Sequence, residues 1–466
     1  MIPKKNIYII GNLFQFSPLI LFLTIYSSLY FYTVHTRSLC NSSTIILAGL
    51  PLFAAFAATI YAFSTFKDSL NIDKKIEIFL SGVAHPSAIN YYFIIICIST
   101  FNHLIAKTNG VLTSVTLGLL YIPTSWIMPS IFLIASTISM CMNALPVTIV
   151  ICMPIAYGIA QSLQINSAFM AATIIGGALY GSHLSLYFKN IKSYIKTIRI
   201  DSTLFFQETI WFIIPAAIST LVILSQYQCQ QIEPSVYNHL QESLTINDYI
   251  SLFPYIFLLI ARFLQMNILT SLTIASIFAL INEIICHKIM FIDAIATMFN
   301  GFHAENIGVN ILMLYLIIAG LTKIIKYNGG FNYMIEKLKP KGVQSSPNIQ
   351  MSIIFIAICT NILVIIDTLS LNIINYPIDK ITDKYNISKN KVTILLHVIT
   401  TTMQVVLPYS LIMLFSVSIN NSSYIEITNY MIYPILVTIS TIIFIFTSKK
   451  STNNNKHHHN FQKRDL

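Results

Sequence analysis

Phe79-Leu80-Ser81-Gly82-Val83-Ala84-His85 leads through an apolar run to Ala106-Lys107-Thr108-Asn109-Gly110, and Phe299-Asn300-Gly301-Phe302-His303 leads through another to Ile325-Lys326-Tyr327-Asn328-Gly329. Gly301 follows Gly82 by 219 residues (301 − 82), and Asn328 follows Asn109 by the same 219 (328 − 109). A Pro-Ile pair closes a long apolar stretch in each half, at Pro154-Ile155 and Pro377-Ile378. Two related halves in a long apolar chain are the sequence mark of secondary transporters, whose substrate site lies where the repeats meet.

The chain of 466 residues is 55% hydrophobic and 9% charged. Its mean hydropathy is +0.71. Runs of roughly 20 apolar residues recur along it, each enough to span a hydrocarbon core of about 30 Å. This composition implies an all-α polytopic membrane protein, because a soluble chain of this size needs far more charge on its surface. The net charge of +10 does not point to nucleic acid: its basic residues sit in short loops and the tail, as the positive-inside rule requires. The seven cysteines show no paired metal spacing, and four lie in apolar runs, where Cys is a small hydrophobe. Lys4 and Lys5 precede an apolar run that lacks a small-residue cleavage site, so the first span is expected to stay uncleaved.

Expected spans in the first half are 16–34, 44–66, 89–106, 126–142, 144–163, 168–188 and 209–226. In the second they are 249–266, 268–285, 307–326, 351–375, 392–418 and 430–447. The segments 67–80 and 287–300 read as amphipathic and interfacial, and Val111–Tyr121 is short for a span. The organisation is therefore a first transmembrane repeat (1–226), an external linker (227–248), a second repeat (249–447) and a disordered cytoplasmic tail (448–466). Basic clusters at Lys74-Lys75, Lys189–Arg199, Lys337–Lys341 and Lys449-Lys450 favour the cytoplasm, whereas Tyr227–Tyr249 has no Lys or Arg and carries Glu233, Glu242 and Asp248. Crossings then place Lys107–Gly110 outside and Lys326–Gly329 inside, so the two repeats are inverted, with both termini cytoplasmic. The count requires a broken or re-entrant helix within 351–375, because both of its flanks carry lysines. Asn143-Ala144-Leu145-Pro146 interrupts the matching region of the first half, either as a helix break or as a tight turn between two spans.

Ile174-Ile175-Gly176-Gly177-Ala178-Leu179-Tyr180-Gly181-Ser182-His183-Leu184-Ser185 resembles the signature of the NhaC-type sodium/proton antiporters. The resemblance runs upstream through Met153–Ala160 and returns at Lys326–Gly330 and Thr401–Tyr409, covering roughly residues 70 to 445. It implies two inverted repeats with broken central helices, exchange of a monovalent cation for protons by alternating access, and a bacterial cytoplasmic (inner) membrane. The departures are chemical. The family's Asp after the third glycine is here Ser182, and its later Ser-Asp is Phe188-Lys189. Its Gly-Thr-Ser break corresponds to Asn143-Ala144-Leu145, and an acidic position of the second half to His397. Losing carboxylates weighs against ordinary sodium binding, since sodium takes hard oxygen ligands.

The candidate transport-site residues are Asp367, His183, His397, Ser182, Ser185, Asn143, Gln404 and Thr401. Asp367, His183 and His397 are ionisable residues well inside apolar segments, where charge is costly and marks function. A buried neutral His can equally be a satisfied hydrogen-bonding residue. Gly176, Gly177 and Gly181 read as close-packing positions or as site lining. Lys189 begins a cytoplasmic cluster or replaces an exchangeable cation, Arg262 snorkels at a short turn, and His103 and Glu283 lie at span ends. No phosphate loop, nucleophile elbow or zinc motif is present in the sequence, so neither an enzyme nor a cofactor is expected. The partners expected are the lipid bilayer, a monovalent cation, protons and a second copy in a homodimer. A permease for a small amino or organic acid, or a degenerate non-transporting homologue, remains the alternative.

Overall fold

A computed structural model describes residues 13–36, 44–65, 71–185, 202–227, 244–287, 307–340, 345–364, 367–385 and 387–447, with isolated positions between 290 and 342. All the regular structure among them is helical. The calls on Lys4, Phe188, Lys189–Arg199, most of 287–300 and 228–243, and the tail lie outside the described residues.

The first half gives α1 (Ser17–Thr36), α2 (Thr44–Thr65), α3 (Ile72–Val83), α4 (Pro86–Lys107), α5 (Gly110–Tyr121), α6 (Ile127–Met142), α7 (Leu145–Ser162), α8 (Ser167–Ser185) and α9 (Ser202–Ser225). The second gives α10 (Ile246–Ile250), α11 (Phe253–Phe263), α12 (Ile268–His287), α13 (Ile307–Tyr327), α14 (Gly330–Leu338), α15 (Ser346–Leu363), α16 (Asp367–Tyr385), α17 (Lys389–Val406), α18 (Leu411–Asn420), α19 (Tyr424–Asn429) and α20 (Ile432–Thr447). Among the described residues nine helical stretches are long and apolar enough to cross a membrane, and four shorter apolar helices accompany them. This is the fold of an α-helical polytopic membrane protein.

Capping chemistry marks the boundaries. His85 opens α4, with Pro86 at the first helical position and its ring Nδ1 accepting from the Ser87 amide at 3.3 Å. Burial, with Lys323 and Lys326 nearby, holds the His85 pKa below its usual value, which keeps the ring neutral and able to accept. Asn109 (φ 59°) and Gly329 (φ 79°) are left-handed residues that stop one helix and let the next begin, α4 to α5 and α13 to α14. Gly82, in the first copy of the repeated motif, sits against the backbone of Ala319 and Gly320, so α3 can lie directly on α13.

Two of the expected apolar segments of the second half are interrupted. The expected break in 351–375 is present: α15 ends at Leu363, Val364 is extended (φ −125°, ψ 100°), and a new helix starts at Asp367. The span drawn over 392–418 is corrected, because α17 stops at Val406 and α18 starts at Leu411, on either side of Pro408. Pro removes one backbone donor and restricts the residue before it, which ends the helix even inside an apolar run. In the first half Asn143 is left-handed (φ 52°) and Ala144 extended, separating α6 from α7. Val111–Tyr121 is helical as the short α5.

Helix contacts recur in pairs at the 219-residue spacing set by Gly82 and Gly301 (301 − 82). α4 packs on α12 while α13 packs on α2, α6 on α8 while α15 packs on α17, and α7 on α8 while α16 packs on α17. α8 meets α20 while α17 meets α9, and α8 and α17 touch each other. Helices in lipid gain little from apolar burial against one another, so small residues and interhelical hydrogen bonds decide which faces meet. The α6–α8 seam shows both. A methyl at Gly177 would overlap the Phe132 carbonyl, one at Gly181 would overlap the Ser136 carbonyl, and Ser139 Oγ donates to the Ala178 carbonyl at 2.6 Å. The packing role of Gly177 and Gly181 is therefore the one observed.

Gly181→Val should force this seam open and cost about 1–3 kcal/mol of stability, as overpacking does. Gly49→Ala, whose added methyl would meet nothing nearer than Asn310 Nδ2 at 3.8 Å, should not lower stability, since Ala suits a helix interior better than Gly. Unfolding of the purified protein in detergent with increasing denaturant compares the two, and equal midpoints would remove the seam from the packing argument.

Candidate functional site

α8 is buried on almost every side, from Ala168 to Ser185. A helix of that kind is central rather than lipid-facing. It touches α17, the helix that follows it at the 219-residue spacing (301 − 82), buried from Lys391 to Thr402 on nearly every face. Polar residues in such a place must find partners, because no water competes for them.

They do. His183 is 1% exposed, with Nε2 at 2.9 Å from Thr401 Oγ1 and Nδ1 at 3.2 Å from the Tyr433 hydroxyl. The Thr401 hydroxyl donates to the His397 carbonyl at 2.8 Å, which leaves its oxygen to accept from Nε2–H of His183. Nδ1 then accepts from Tyr433. A neutral imidazole with its proton on Nε2 satisfies every group in this chain. The half-buried ring of His397 lies 6.1 Å from that of His183, centroid to centroid, at 76°. Two imidazolium charges so close would repel in a medium of low dielectric, so the pair can hold one proton far more readily than two.

A second arm reaches the break between α6 and α7. The Ser185 hydroxyl is 3.0 Å from Asn143 Oδ1 and 2.8 Å from the Ser182 carbonyl, and it shares its proton between them. The left-handed Asn143 turns its side chain to α8 where a continuous helix would have carried it onward. The structure thus gathers His183, His397 and Thr401 in one cluster and Asn143, Ser182 and Ser185 in the adjoining one. Gln404 lies on α17 one turn beyond Thr401, half-buried and without a hydrogen bond to the others. Asp367 is the first residue of α16, directly after the second break; its side chain lies outside the described residues.

Two readings of buried charge change. Glu283, read as a span-end residue, is fully buried on α12 in line with Leu272, Ala275 and Ala279. Arg262 does not snorkel, because α11 ends against α6: its Nε and Nη2 donate to the Met142 carbonyl at 3.1 and 2.8 Å. Nη1 donates to the Met266 carbonyl in the turn that follows. Tyr433, Ser139 and Arg262 were missed as site neighbours. Each makes its key contact with a residue far away in sequence, and none stands in a motif.

No three His, Cys, Asp or Glu side chains gather to hold a metal ion among the described residues. The oxygens near the breaks, from Asn143, Ser182, Ser185 and Thr401, are hydroxyl, amide and carbonyl groups that suit a weakly held hard cation or hydrogen bonding to a small polar solute.

Thr401→Val leaves the buried Nε2–H of His183 without an acceptor and should destabilise the protein by about 1–3 kcal/mol, whereas Thr401→Ser keeps the hydroxyl and should avoid most of that loss. Unfolding in detergent measures both; equal stability of Val and Ser variants would mean that the His183–Thr401 bond carries no weight.

No family model matches the chain, and no curated protein matches it in sequence.

Proposed function

We propose that this protein is a secondary transporter of the NhaC antiporter type, exchanging a monovalent cation for protons by alternating access. Its frame is two inverted repeats, 1–226 and 249–447, joined by an external linker at 227–248. The observation that carries the reading is the His183–Thr401 hydrogen bond. It joins α8 to α17, the two helices that correspond at the repeat spacing, so a buried histidine cluster lies where the halves meet. Transporters built of repeats place their substrate and coupling sites there, beside broken helices. The paired contacts of α4 with α12 and α13 with α2 support the repeat, as does the match between breaks after Met142 and after Leu363.

The division of labour follows from chemistry. His183 and His397 are the candidate proton carriers, one imidazolium at a time. Ser182, Ser185, Asn143, Thr401, Gln404 and carbonyls freed at the breaks offer oxygen to a cation, and Asp367 supplies the carboxylate at the second break. A cation entering this region disfavours a protonated imidazole, and a proton on the imidazole disfavours the cation, which is the minimal physics of exchange. The membrane is the cytoplasmic (inner) membrane of a bacterium, with both chain termini in the cytoplasm and a second copy as partner in a homodimer. A permease for a small amino or organic acid is the second reading. It is favoured by Arg262, a guanidinium at the α6–α7 break that no carboxylate pairs with among the described residues.

In everted vesicles, addition of sodium, potassium or lithium should dissipate an imposed pH gradient, read as dequenching of a pH-sensitive dye. Asp367→Asn should abolish that response without loss of protein from the membrane, and wild-type flux in this variant would move the carrier role to His183 and His397. A response to amino or organic acids alone would select the permease. Single cysteines in a cysteine-free background should be labelled from outside in 227–249 and from inside in 326–346; labelling of both from one side would sink the inverted arrangement.

A further inference from the structure

Met142 ends α6, and in a continuous helix its carbonyl would accept from the amide four residues on. That residue is Pro146, which has no N–H. The carbonyl is thus left without a helical donor by the sequence itself, at a point where Asn143 and Ala144 have already left helical geometry. Unsatisfied carbonyls inside a membrane protein are costly unless another group supplies the bond. Arg262 supplies two, from Nε at 3.1 Å and Nη2 at 2.8 Å, and anchors its remaining fork on the Met266 carbonyl of its own turn. The guanidinium stays charged and rigid, and its charge sits at the negative end of the α6 dipole.

The residue after Met142 is Asn143, whose side chain accepts from Ser185, two residues beyond His183 on α8. We infer that Arg262 is the positioning residue of the transport site: held on α11, it fixes the α6–α7 break and through it the Asn143–Ser185 arm. This rests on the transport reading above, and it assigns Arg262 no contact with the transported species. The guanidinium also occupies the Met142 carbonyl, which removes that oxygen from the set open to a cation. Binding at the first break therefore falls to the Asn143, Ser182 and Ser185 oxygens, and loosening of the break should weaken binding more than turnover.

Two measurements on Arg262→Gln test this, with Arg262→Lys as the conservative variant. Hydrogen–deuterium exchange should rise in Arg262→Gln for amides between Asn143 and Thr148 and stay unchanged across residues 131–138 of α6. The half-saturating cation concentration in the vesicle assay should rise about tenfold, the scale of one lost charge-assisted hydrogen bond, with maximal rate little altered. Arg262→Lys, which keeps the charge but presents one compact donor, should fall between the two in both readouts. Unchanged exchange at the break overturns the proposal, and so does a fall in maximal rate at constant half-saturation. A wild-type protein that exchanges no cation for protons defeats the transport reading and with it the site role of Arg262, while the exchange data still report whether it holds the break.

Discussion

An apolar surrounding leaves no water to bond with broken helix ends, so every interruption inside this protein has to be closed by a side chain. Three interruptions are described, after Met142, Leu363 and Val406, and each has its own closure. Arg262 holds the Met142 carbonyl. Tyr409 donates to the Ile362 carbonyl at 2.7 Å. Around Pro408, Tyr424 donates to the Val406 carbonyl at 3.0 Å, Tyr26 reaches the Pro408 carbonyl at 3.4 Å, and the Tyr315 oxygen accepts from the Leu411 amide at 2.9 Å. Tyr409 belongs to the third interruption and closes the second, so the two in the second half are tied together.

The tyrosines that do this come from α1, α13, α19 and the Pro408 interruption itself, and Tyr30 of α1 links Tyr26 to Tyr424 through ring contacts. Tyr26 and Tyr409 meet edge to face at 5.9 Å, and Phe22 packs on Tyr409 at 5.4 Å. Such a cluster is rigid, since each ring has two torsions and both ends are occupied. It gives α1 a purpose beyond membrane anchoring: the first span braces the irregular backbone of the second half. Removing its hydroxyls would expose carbonyls rather than create cavities, a different failure from a core truncation.

Much of this frame was legible in the sequence, and for definite reasons. The 219-residue offset between Gly82 and Gly301 (301 − 82) gives the spacing at which helix contacts recur. The break before Asp367 followed from lysines on both flanks of a single apolar run, a conflict only an interruption resolves. The break at Pro408 was hidden inside residues 392–418, whose hydropathy is continuous; Pro within a membrane helix is often tolerated, so the residue type alone does not decide. His183, His397 and Thr401 stood out as polar residues in apolar runs, yet their grouping depends on how α8 crosses α17. Tyr433 and Arg262 carried no signal, for an aromatic on an apolar face reads as core and an arginine at a turn reads as surface. Their roles exist only once distant helices meet.

The closures differ between halves in a way that bears on the proposed exchange. In the second half they are neutral hydroxyls, which satisfy the carbonyls but leave the partial negative charge of the helix ends in place. In the first half the closure is a full positive charge, and it offsets the negative end of α6. Two halves that share their helix pattern are therefore unequal as electrostatic environments. A cation would be drawn toward the α15–α16 side, where Asp367 opens a helix, and the first half would contribute mainly neutral oxygens and the His183 imidazole. An anionic solute would be drawn the other way, toward Arg262. The same asymmetry thus separates the two transport readings by electrostatics: the second break favours a cation, and the guanidinium at the first favours an anionic solute.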